Sequence, residues 1–143
     1  MEDPGQLIEI SDLAKQLKIS RQTTANYLSY LEDSFLLRKL YNYSNNARKT
    51  ERKLKKYYPT LISIDLAFKD DDFSKSKSFE WLIVNQLKAQ FFWRDAYKNE
   101  VDIIMIGKKI TPIEIKYGKT NTQGMTAFLK KFKQKKGIIL TKK

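Results

Sequence analysis

The spacing of apolar residues predicts a helical beginning of the chain and a later part in which helices alternate with strands. Apolar side chains recur at helical spacing over 12–17, which predicts a first helix. After a two-residue turn, Ser20 is a typical N-cap residue and predicts a second helix that runs to about residue 33. Residues 35–43 alternate as a short strand does. This order predicts a winged helix-turn-helix over residues 1–43.

Residues 44–56 interrupt the pattern with a polar segment in which six of thirteen side chains are cationic. Such a composition is typical of a solvated linker. From residue 57 apolar runs return, and residues 69–78 are expected to form a loop. The elements expected after that loop are a helix over 79–90, strands over 91–94, 100–106 and 110–116, a helix over 122–135 and a strand over 137–141. The α-β-β-β-α-β order predicts a small mixed sheet over residues 57–143, and an α+β fold class for the whole chain.

The charge of the chain favours a polyanionic partner. The 143 residues include 28 Lys or Arg and 16 Asp or Glu, for a net charge of +12. Residues 79–143 alone hold fourteen basic and five acidic side chains. Excess positive charge attracts nucleic acids, so nucleic acid, and DNA first, is the expected partner. A Lys-rich proteome is the alternative explanation.

Missing residue types restrict the chemistry that the chain can perform. With no Cys and no His, thiolate zinc sites, disulfides, Ser-His-Asp triads and imidazole catalysis are excluded. Catalysis would have to use carboxylates, lysines, hydroxyls and a hard metal ion. No apolar run approaches the ~20 residues of a membrane span, and no signal peptide opens the chain. We therefore expect a cytoplasmic protein, with an anionic membrane surface as the weaker alternative to nucleic acid.

Candidate nucleic-acid contacts occur in three segments. The second helix would present its first residues to a major groove, whereas the linker and the last helix would contact phosphates. The candidates are Arg21, Gln22, Thr23, Arg48, Lys49, Arg52, Lys53, Lys130 and Lys131. Residues 1–43 hold five basic and six acidic side chains, which is poor for a phosphate-binding module. DNA recognition and protein docking therefore both remain open for the winged helix.

Two acidic residues are expected to meet across a β-hairpin. A tight turn at Gly107 would bring Asp102 on one strand near Glu114 and Lys116 on the next. Close carboxylates repel each other, and a hard cation such as Mg²⁺ or Mn²⁺ removes that cost. A neighbouring Lys can orient or deprotonate a water molecule. Glu80 lies on the apolar stripe of the preceding helix, so it is expected inside as a third metal ligand or as an ion-pair partner of Lys116.

These residues resemble the signature of a known nuclease fold. Asp102, eleven further residues and then Glu114-Ile115-Lys116, after a helix that carries Glu80, resemble the PD-(D/E)XK pattern. The resemblance implies Asp102, Glu114 and Lys116 as catalytic residues and Glu80, Asp102 and Glu114 as metal ligands. A cross-strand ion pair without a metal is the alternative interpretation.

Longer stretches resemble the C-terminal region of prokaryotic AAA-type ATPases, and of archaeal members most. They are residues 11–23, residues 27–38, Phe-Trp-Arg-Asp at 92–95, Asn-Glu-Val-Asp at 99–102 and Pro-Ile-Glu-Ile-Lys at 112–116. The resemblance implies a winged helix joined to a restriction-endonuclease-like domain. Those ATPases carry their P-loop upstream of this region, and the chain has no G-X-X-X-X-G-K-[ST] motif, so the resemblance implies an excised or a standalone C-terminal part. Two functions follow as hypotheses: a metal-dependent phosphodiesterase that binds nucleic acid, or a non-catalytic DNA-binding or protein-docking module.

Overall fold

The helices and strands of the protein are mixed along the chain. The computed structural model describes residues 4–52, 54–63, 68–118 and 121–142. The helices in this part of the chain are α1 (Ile10–Leu17), α2 (Arg21–Asp33), α3 (Ala47–Arg52), α4 (Asp72–Gln86) and α5 (Gln123–Phe132). The strands are β1 (Gln6–Ile8), β2 (Leu37–Asn42), β3 (Lys55–Pro59), β4 (Phe91–Arg94), β5 (Glu100–Val101), β6 (Ile103–Ile106), β7 (Ile110–Lys116) and β8 (Ile138–Thr141). The α+β class is confirmed.

The strands form two curled mixed sheets. The first has the order β1-β3-β2-β4-β5, in which β2 and β4 are parallel and the other neighbours antiparallel. The second has the order β6-β7-β8, with an antiparallel hairpin and a parallel third strand. Only Asp102 separates β5 from β6 along the chain, and β4 also contacts β6. The two sheets therefore meet at this acidic residue.

Apolar and aromatic side chains fix the helices on these sheets. Phe128 of α5 packs edge-on against the fully buried Trp93 of β4, with ring centroids 5.4 Å apart. Val84 of α4 lies in a second cluster with Leu40 and Phe92, which come from neighbouring strands β2 and β4. Isolated helices of this length have marginal stability in water, so these helices are stabilised mainly by the packing of their apolar faces. Within the described residues, no helix has the length and apolar content that crossing a membrane requires.

The helix pair near the start of the chain follows its sequence signals. The hydroxyl oxygen of Ser20 accepts the Thr23 amide at 3.0 Å, so α2 begins where its cap residue predicts. The first helix begins at residue 10, two positions earlier than expected, because the Glu9 carboxylate caps it and accepts the Asp12 amide at 3.2 Å. The expected strand after α2 is present as β2.

The expectation of a solvated linker over residues 44–56 is wrong in its local structure. This segment contains α3 and the first two residues of β3. Strand β3 pairs with both β1 and β2, and its Lys56 is only 4% exposed. The polar sequence concealed the strand because the acidic partners of Lys56 come from distant parts of the chain. The division into domains at 43 and 57 stays a prediction, although strands from both sides share one sheet.

Three other boundaries differ from the expectation. Helix α4 begins at residue 72 instead of 79, because the Asp71 carboxylate accepts the Ser74 amide at 2.9 Å and caps a polar first turn. The strand expected over 100–106 is interrupted at Asp102. Helix α5 ends at residue 132, where Lys133 takes a left-handed conformation with φ of 52°. The α-β-β-β-α-β order of the second half is otherwise as predicted, with the middle strand divided in two.

Candidate functional site

The β6–β7 hairpin aligns Asp102 with Glu114. Ile103 pairs with Ile113 and Ile106 with Ile110 around the turn at Gly107. The same register, continued by one residue, sets Asp102 opposite Glu114. In antiparallel pairs, residues opposite each other project from the same face. The hairpin thus brings the two carboxylates together, as the sequence predicts.

A cavity of about 250 Å³ opens beside these carboxylates. Its charged lining residues are Lys98, Glu100, Asp102, Glu114 and Lys116. The beginning of α5 closes another side of it through Gln123 and Gly124. Acidic and basic side chains therefore face one small solvent-accessible space at the junction of the two sheets.

Glu114 is the most deeply buried acid that lines this cavity, with 4% of its surface exposed. Its Oε1 accepts the ammonium of Lys116 at 2.5 Å, whereas its Oε2 is buried without a hydrogen-bond partner among the described residues. Burial raises the pKa of Glu114, although Lys116 partly offsets this effect. A buried carboxylate oxygen without a donor is costly, so this atom is suited to accept a proton or a cation.

Asp102 is held by the neighbouring strand. Its Oδ2 accepts the backbone amide of Ile115 at 2.7 Å. This bond explains the interrupted strand, because the side chain takes the place of a backbone acceptor. Burial, together with repulsion from Glu80 and Glu114 and against the attraction of Lys56, raises the pKa of Asp102 to about 7. Its carboxyl group is therefore poised to exchange a proton near neutral pH.

Lys56 supplies a cation inside the protein. Its ammonium forms ion pairs with Glu100 and, at 3.5 Å, with Glu80, and it lies 5.4 Å from the ring centroid of Phe92. Burial opposes the charged form of Lys56, but Glu80, Glu100 and Asp102 outweigh it and raise its pKa. Sequence reasoning missed this residue. No local signal marked Lys56, because its acidic partners are far away in the sequence and its neighbours are those of a polar linker.

Glu80 is directed into the protein, as its helical position predicts, and belongs to this ion network. It accepts the Tyr58 hydroxyl at 2.6 Å and the ammonium of Lys77 at 3.3 Å. Burial raises the pKa of Glu80, but Lys56 and then Lys77 and Tyr58 outweigh burial and lower it. The expected pair with Lys116 is not formed, because Lys116 contacts Glu114 instead.

Glu100 completes the network and was not predicted. The guanidinium of Arg94 donates to its Oε2 at 2.6 Å, and Lys56 holds its other oxygen. A signal was present in the sequence, since Glu100 and Asp102 are two residues apart on one expected strand face.

The acidic side chains of this arrangement differ in how well they fit a divalent cation. Among the described residues, no three acidic side chains are grouped to hold one metal ion. The structure therefore does not bring Glu80, Asp102 and Glu114 together as one ligand set, because Glu80 is saturated by Lys56, Lys77 and Tyr58. Asp102 and Glu114 do fit a hard cation, through the unpartnered Oε2 of Glu114 and the mutual repulsion of the two carboxylates.

The predicted nucleic-acid contacts on α2 lie in its first turn. Arg21 and Gln22 are exposed, and the Gln22 side-chain amide donates to Asn26 at 2.9 Å. Thr23 is partly buried, and its hydroxyl lies 2.7 Å from the hydroxyl of the cap residue Ser20. Arg21 and Gln22 are therefore accessible to a ligand, whereas Thr23 is occupied by the helix cap.

The other predicted contacts lie on α3 and α5. Arg48 and Lys49 are exposed on α3, while the side chain of Arg52 and the whole of Lys53 lie outside the described residues. Lys130 is exposed in the last turn of α5. Lys131 is also exposed, and its ammonium lies 5.4 Å from the ring centroid of Trp93.

Two family models each match a part of the chain, and both describe domains of unknown function. Residues 75–143 match the family model of a domain of unknown function, DUF4143. That domain is found in the C-terminal regions of AAA-type ATPases. Residues 1–63 match a second domain of unknown function, DUF8612. No curated protein and no solved structure matches the chain.

Proposed function

We propose that this chain is a nucleic-acid-processing module of an AAA-type ATPase and that it cleaves phosphodiester bonds in the cavity lined by Asp102, Glu114 and Lys116. In this proposal the first half is a winged helix and the second half a restriction-endonuclease-like domain, as in the archaeal AAA-type ATPases that the sequence resembles. The match of residues 75–143 to an ATPase-associated domain supports the first part of the proposal. The second part rests on the cavity.

The observation that carries the proposal is the Asp102–Glu114 pair beside Lys116. The hairpin register aligns the two acids, and one oxygen of Glu114 has no donor in the part of the chain that the structure describes. A buried carboxylate oxygen without a donor destabilises the fold, so a bound ligand is the simplest reason for its presence. Acids whose pKa values are raised by burial and by neighbouring acids, as those of Asp102 and Glu114 are, are typical of functional sites.

Each residue has a distinct role in the proposed reaction. Asp102 and Glu114 would hold Mg²⁺ or Mn²⁺, which supplies charge neutralisation and Lewis acidity at the scissile phosphate. Lys116 orients the attacking water and offsets the charge that develops on the phosphate. Glu80 and Glu100 bind Lys56 and so hold its positive charge close to Asp102.

Binding of nucleic acid rests on the distribution of charge. The network in and around the cavity pairs four acids with four cations. They are Glu80, Glu100, Asp102 and Glu114 with Lys56, Lys77, Arg94 and Lys116. The rest of the chain therefore keeps the whole net charge of +12, and exposed Arg21, Arg48 and Lys130 belong to it. Cations on a surface bind phosphates by releasing counterions.

A second candidate function is a non-catalytic module that docks DNA or a partner protein. Lys56 favours it, since an ammonium already lies among Glu80, Glu100 and Asp102. In that case an internal Lys takes over the charge neutralisation that a metal ion would supply. Exposed aromatic residues on α2, Tyr27 at 55% and Tyr30 at 62%, would then contact the partner.

Cleavage assays separate the two functions. The parent protein is incubated with single-stranded, duplex and branched DNA and with RNA in the presence of Mn²⁺. We expect cleavage by the parent and at least a hundredfold loss in Asp102→Asn, which keeps the shape of the side chain but removes its charge. Binding of the same nucleic acids at low salt should be unchanged or slightly tighter in the variant, because one negative charge is gone.

Two controls complete this test. Lys116→Ala should reduce cleavage while leaving metal affinity nearly unchanged, because Lys is not a ligand. Asp12→Asn removes an exposed acid of α1 that does not line the cavity, and it should cleave as the parent does. Equal cleavage by parent and Asp102→Asn would indicate a contaminant. No turnover at any Mn²⁺ concentration, with nucleic-acid binding intact, would establish the second candidate instead.

A further inference from the structure

A second cavity, of about 670 Å³, lies between α3 and the strands β2, β4 and β6. Ligand sites in proteins typically have volumes of roughly 300–1,000 Å³, so this cavity can hold a small organic group. Its main lining residues are Tyr41, Tyr43, Ser44, Asn45, Phe91 and Ile106. It shares no lining residue with the acidic cavity, and nothing in the proposed cleavage chemistry uses it.

Its walls are aromatic and largely fixed. Tyr43 is buried and its hydroxyl donates to Asn45 at 2.9 Å, while its ring meets Phe91 edge-on at 6.1 Å. The ring of Tyr41 lies 6.2 Å from that of Phe91, and both of these residues are partly exposed. Ile106 is 53% exposed at the mouth. The cavity is therefore an open aromatic slot that exists before any ligand binds.

Its surroundings are positively charged. The ammonium groups of Lys39 and Lys55 lie 5.2 and 5.7 Å from the ring centroid of Tyr41. Lys39 is paired with Glu32 at 2.7 Å, so part of this charge is already compensated. Helix α3 contributes Ala47 and Thr50 to the lining and carries exposed Arg48 and Lys49 between them. The described lining residues include no acid.

We propose that this cavity binds one unstacked base of a single-stranded nucleic acid, which stacks on Tyr41 while the adjoining phosphates contact α3. The proposal rests on the nucleic-acid binding proposed above and deepens it. An aromatic slot inside a basic rim matches the chemistry of a nucleotide, whose base is flat and apolar on its faces and whose phosphates are anionic. Stacking tolerates every base because each base has a π face. Ser44 and Asn45 supply polar groups for the base edge.

The test compares two ligands with the same phosphates. One is a fluorescein-labelled hexathymidylate, and the other is a labelled six-unit abasic deoxyribose-phosphate chain. Anisotropy titrations of the full chain at low salt should give an affinity for hexathymidylate about tenfold higher or more, as expected when one base gains a stacking partner. Both ligands should show the same salt dependence, because their charges are identical.

Substitutions at Tyr41 identify the stacking surface. Tyr41→Leu keeps an apolar side chain but removes the ring, and it should lower hexathymidylate affinity to the level of the abasic ligand. Tyr41→Phe keeps the ring and should bind as the parent does. Tyr97→Leu, which changes an 88% exposed tyrosine outside the cavity, is the matched control and should also bind as the parent does.

One readout does not depend on how a variant folds. A hexanucleotide with a single 2-aminopurine should lose fluorescence when it binds the parent, because stacking on an aromatic ring quenches this base. Equal affinity of the parent for the two ligands, or an unchanged 2-aminopurine signal, would overturn the base-binding proposal while leaving nucleic-acid binding intact. Either outcome would be expected if the cavity instead accommodates a side chain of a partner protein. Failure of both ligands to bind would overturn this proposal together with the proposed function.

Discussion

At the scale of single residues, the charge of Asp102 acts against the stability of the fold. Burial and two neighbouring acids raise the pKa of its carboxyl group from 3.8 to about 7. The native state therefore binds this proton more tightly than the unfolded chain does. Residues selected for function are the ones for which such a cost is retained.

This cost gives a pH dependence with a definite sign. Where the native state holds more protons than the unfolded state, the free energy of unfolding falls as the pH rises. The contribution of Asp102 should fall between about pH 4 and pH 7 and stay low above pH 7. At 1.36 kcal/mol per pKa unit the total is on the order of 4 kcal/mol. In metal-free buffer, Asp102→Asn should thus be more stable than the parent at pH 8 and equal to it near pH 4.

Urea unfolding at pH 4.5, 6 and 8 measures this difference. Asp95→Asn is the matched control with the opposite sign. Although burial raises the pKa of Asp95, hydrogen bonds from Asn99 and Tyr97 outweigh that effect and lower it. Asp95→Asn should therefore have a lower free energy of unfolding than the parent at pH 8, and this difference should shrink as the pH falls. A variant at residue 102 that is less stable than the parent at pH 8 would contradict this description of the site.

The sequence predicted some residues of the site and not others, for physical reasons. Asp102 and Glu114 were predictable because strand alternation and a tight turn determine which residues face each other. Lys56 was not, because an ion pair across 24 residues with Glu80 leaves no periodic signal in the sequence. Glu80 was correctly directed inward, but which cation it meets depends on tertiary packing alone.

At the scale of elements, the contact between α5 and β5 requires a glycine. A Cβ atom built on Gly124 would lie 1.8 Å from the carbonyl oxygen of Glu100. That oxygen belongs to the backbone, so the helix and the strand would have to separate. Because Glu100 also binds Lys56 and Arg94, the position of α5 is linked to the ion network at the candidate site.

Gly124→Ala should therefore destabilise the protein. Alanine favours helix by about 1 kcal/mol relative to glycine, but overpacking against backbone outweighs this gain. We expect the free energy of unfolding to fall by roughly 1–3 kcal/mol in urea titrations. Gly107→Ala is the control, because its Cβ would have no neighbour closer than 4.0 Å and should change stability by less than about 0.5 kcal/mol. Equal stability of the two variants would contradict the close approach of α5 to β5.

Element types were more predictable than element boundaries. The second half of the chain shows its strands through alternation and its last helix through an apolar stripe. The early start of α4 was missed because its first turn is polar and is stabilised by the Asp71 cap instead of by burial. Strand β3 was missed because Lys55 and Lys56 resemble linker residues until their partners are known.

At the scale of the whole molecule, the two parts of the chain are joined by a shared sheet. Strand β2 lies between β3 and β4, so a strand from the first 43 residues pairs with a strand from the second half of the chain. No sequence pattern predicted this pairing, because the parallel contact between β2 and β4 joins Tyr41 to Phe91, 50 residues later in the chain. The candidate site lies where the second sheet begins, at Asp102.

The structure also shows how the charges of the chain are distributed between paired and unpaired groups. The sequence shows a basic protein with few acids in its second half. In the structure Glu80, Glu100, Asp102 and Glu114 lie in or beside one ion network, and most of their charge is neutralised by lysines and Arg94. The remaining capacity for a cation is concentrated at Glu114 and Asp102.

Binding of Mn²⁺, followed by the electron paramagnetic resonance signal of the free ion at pH 8, tests this central claim most directly. The parent should bind one Mn²⁺, and Glu114→Gln should weaken binding more than tenfold because a ligand oxygen loses its charge. Glu80→Gln should bind Mn²⁺ as the parent does, since Glu80 belongs to Lys56, Lys77 and Tyr58. No binding by the parent, or a loss in Glu80→Gln that Glu114→Gln does not share, would contradict the assignment of the cavity.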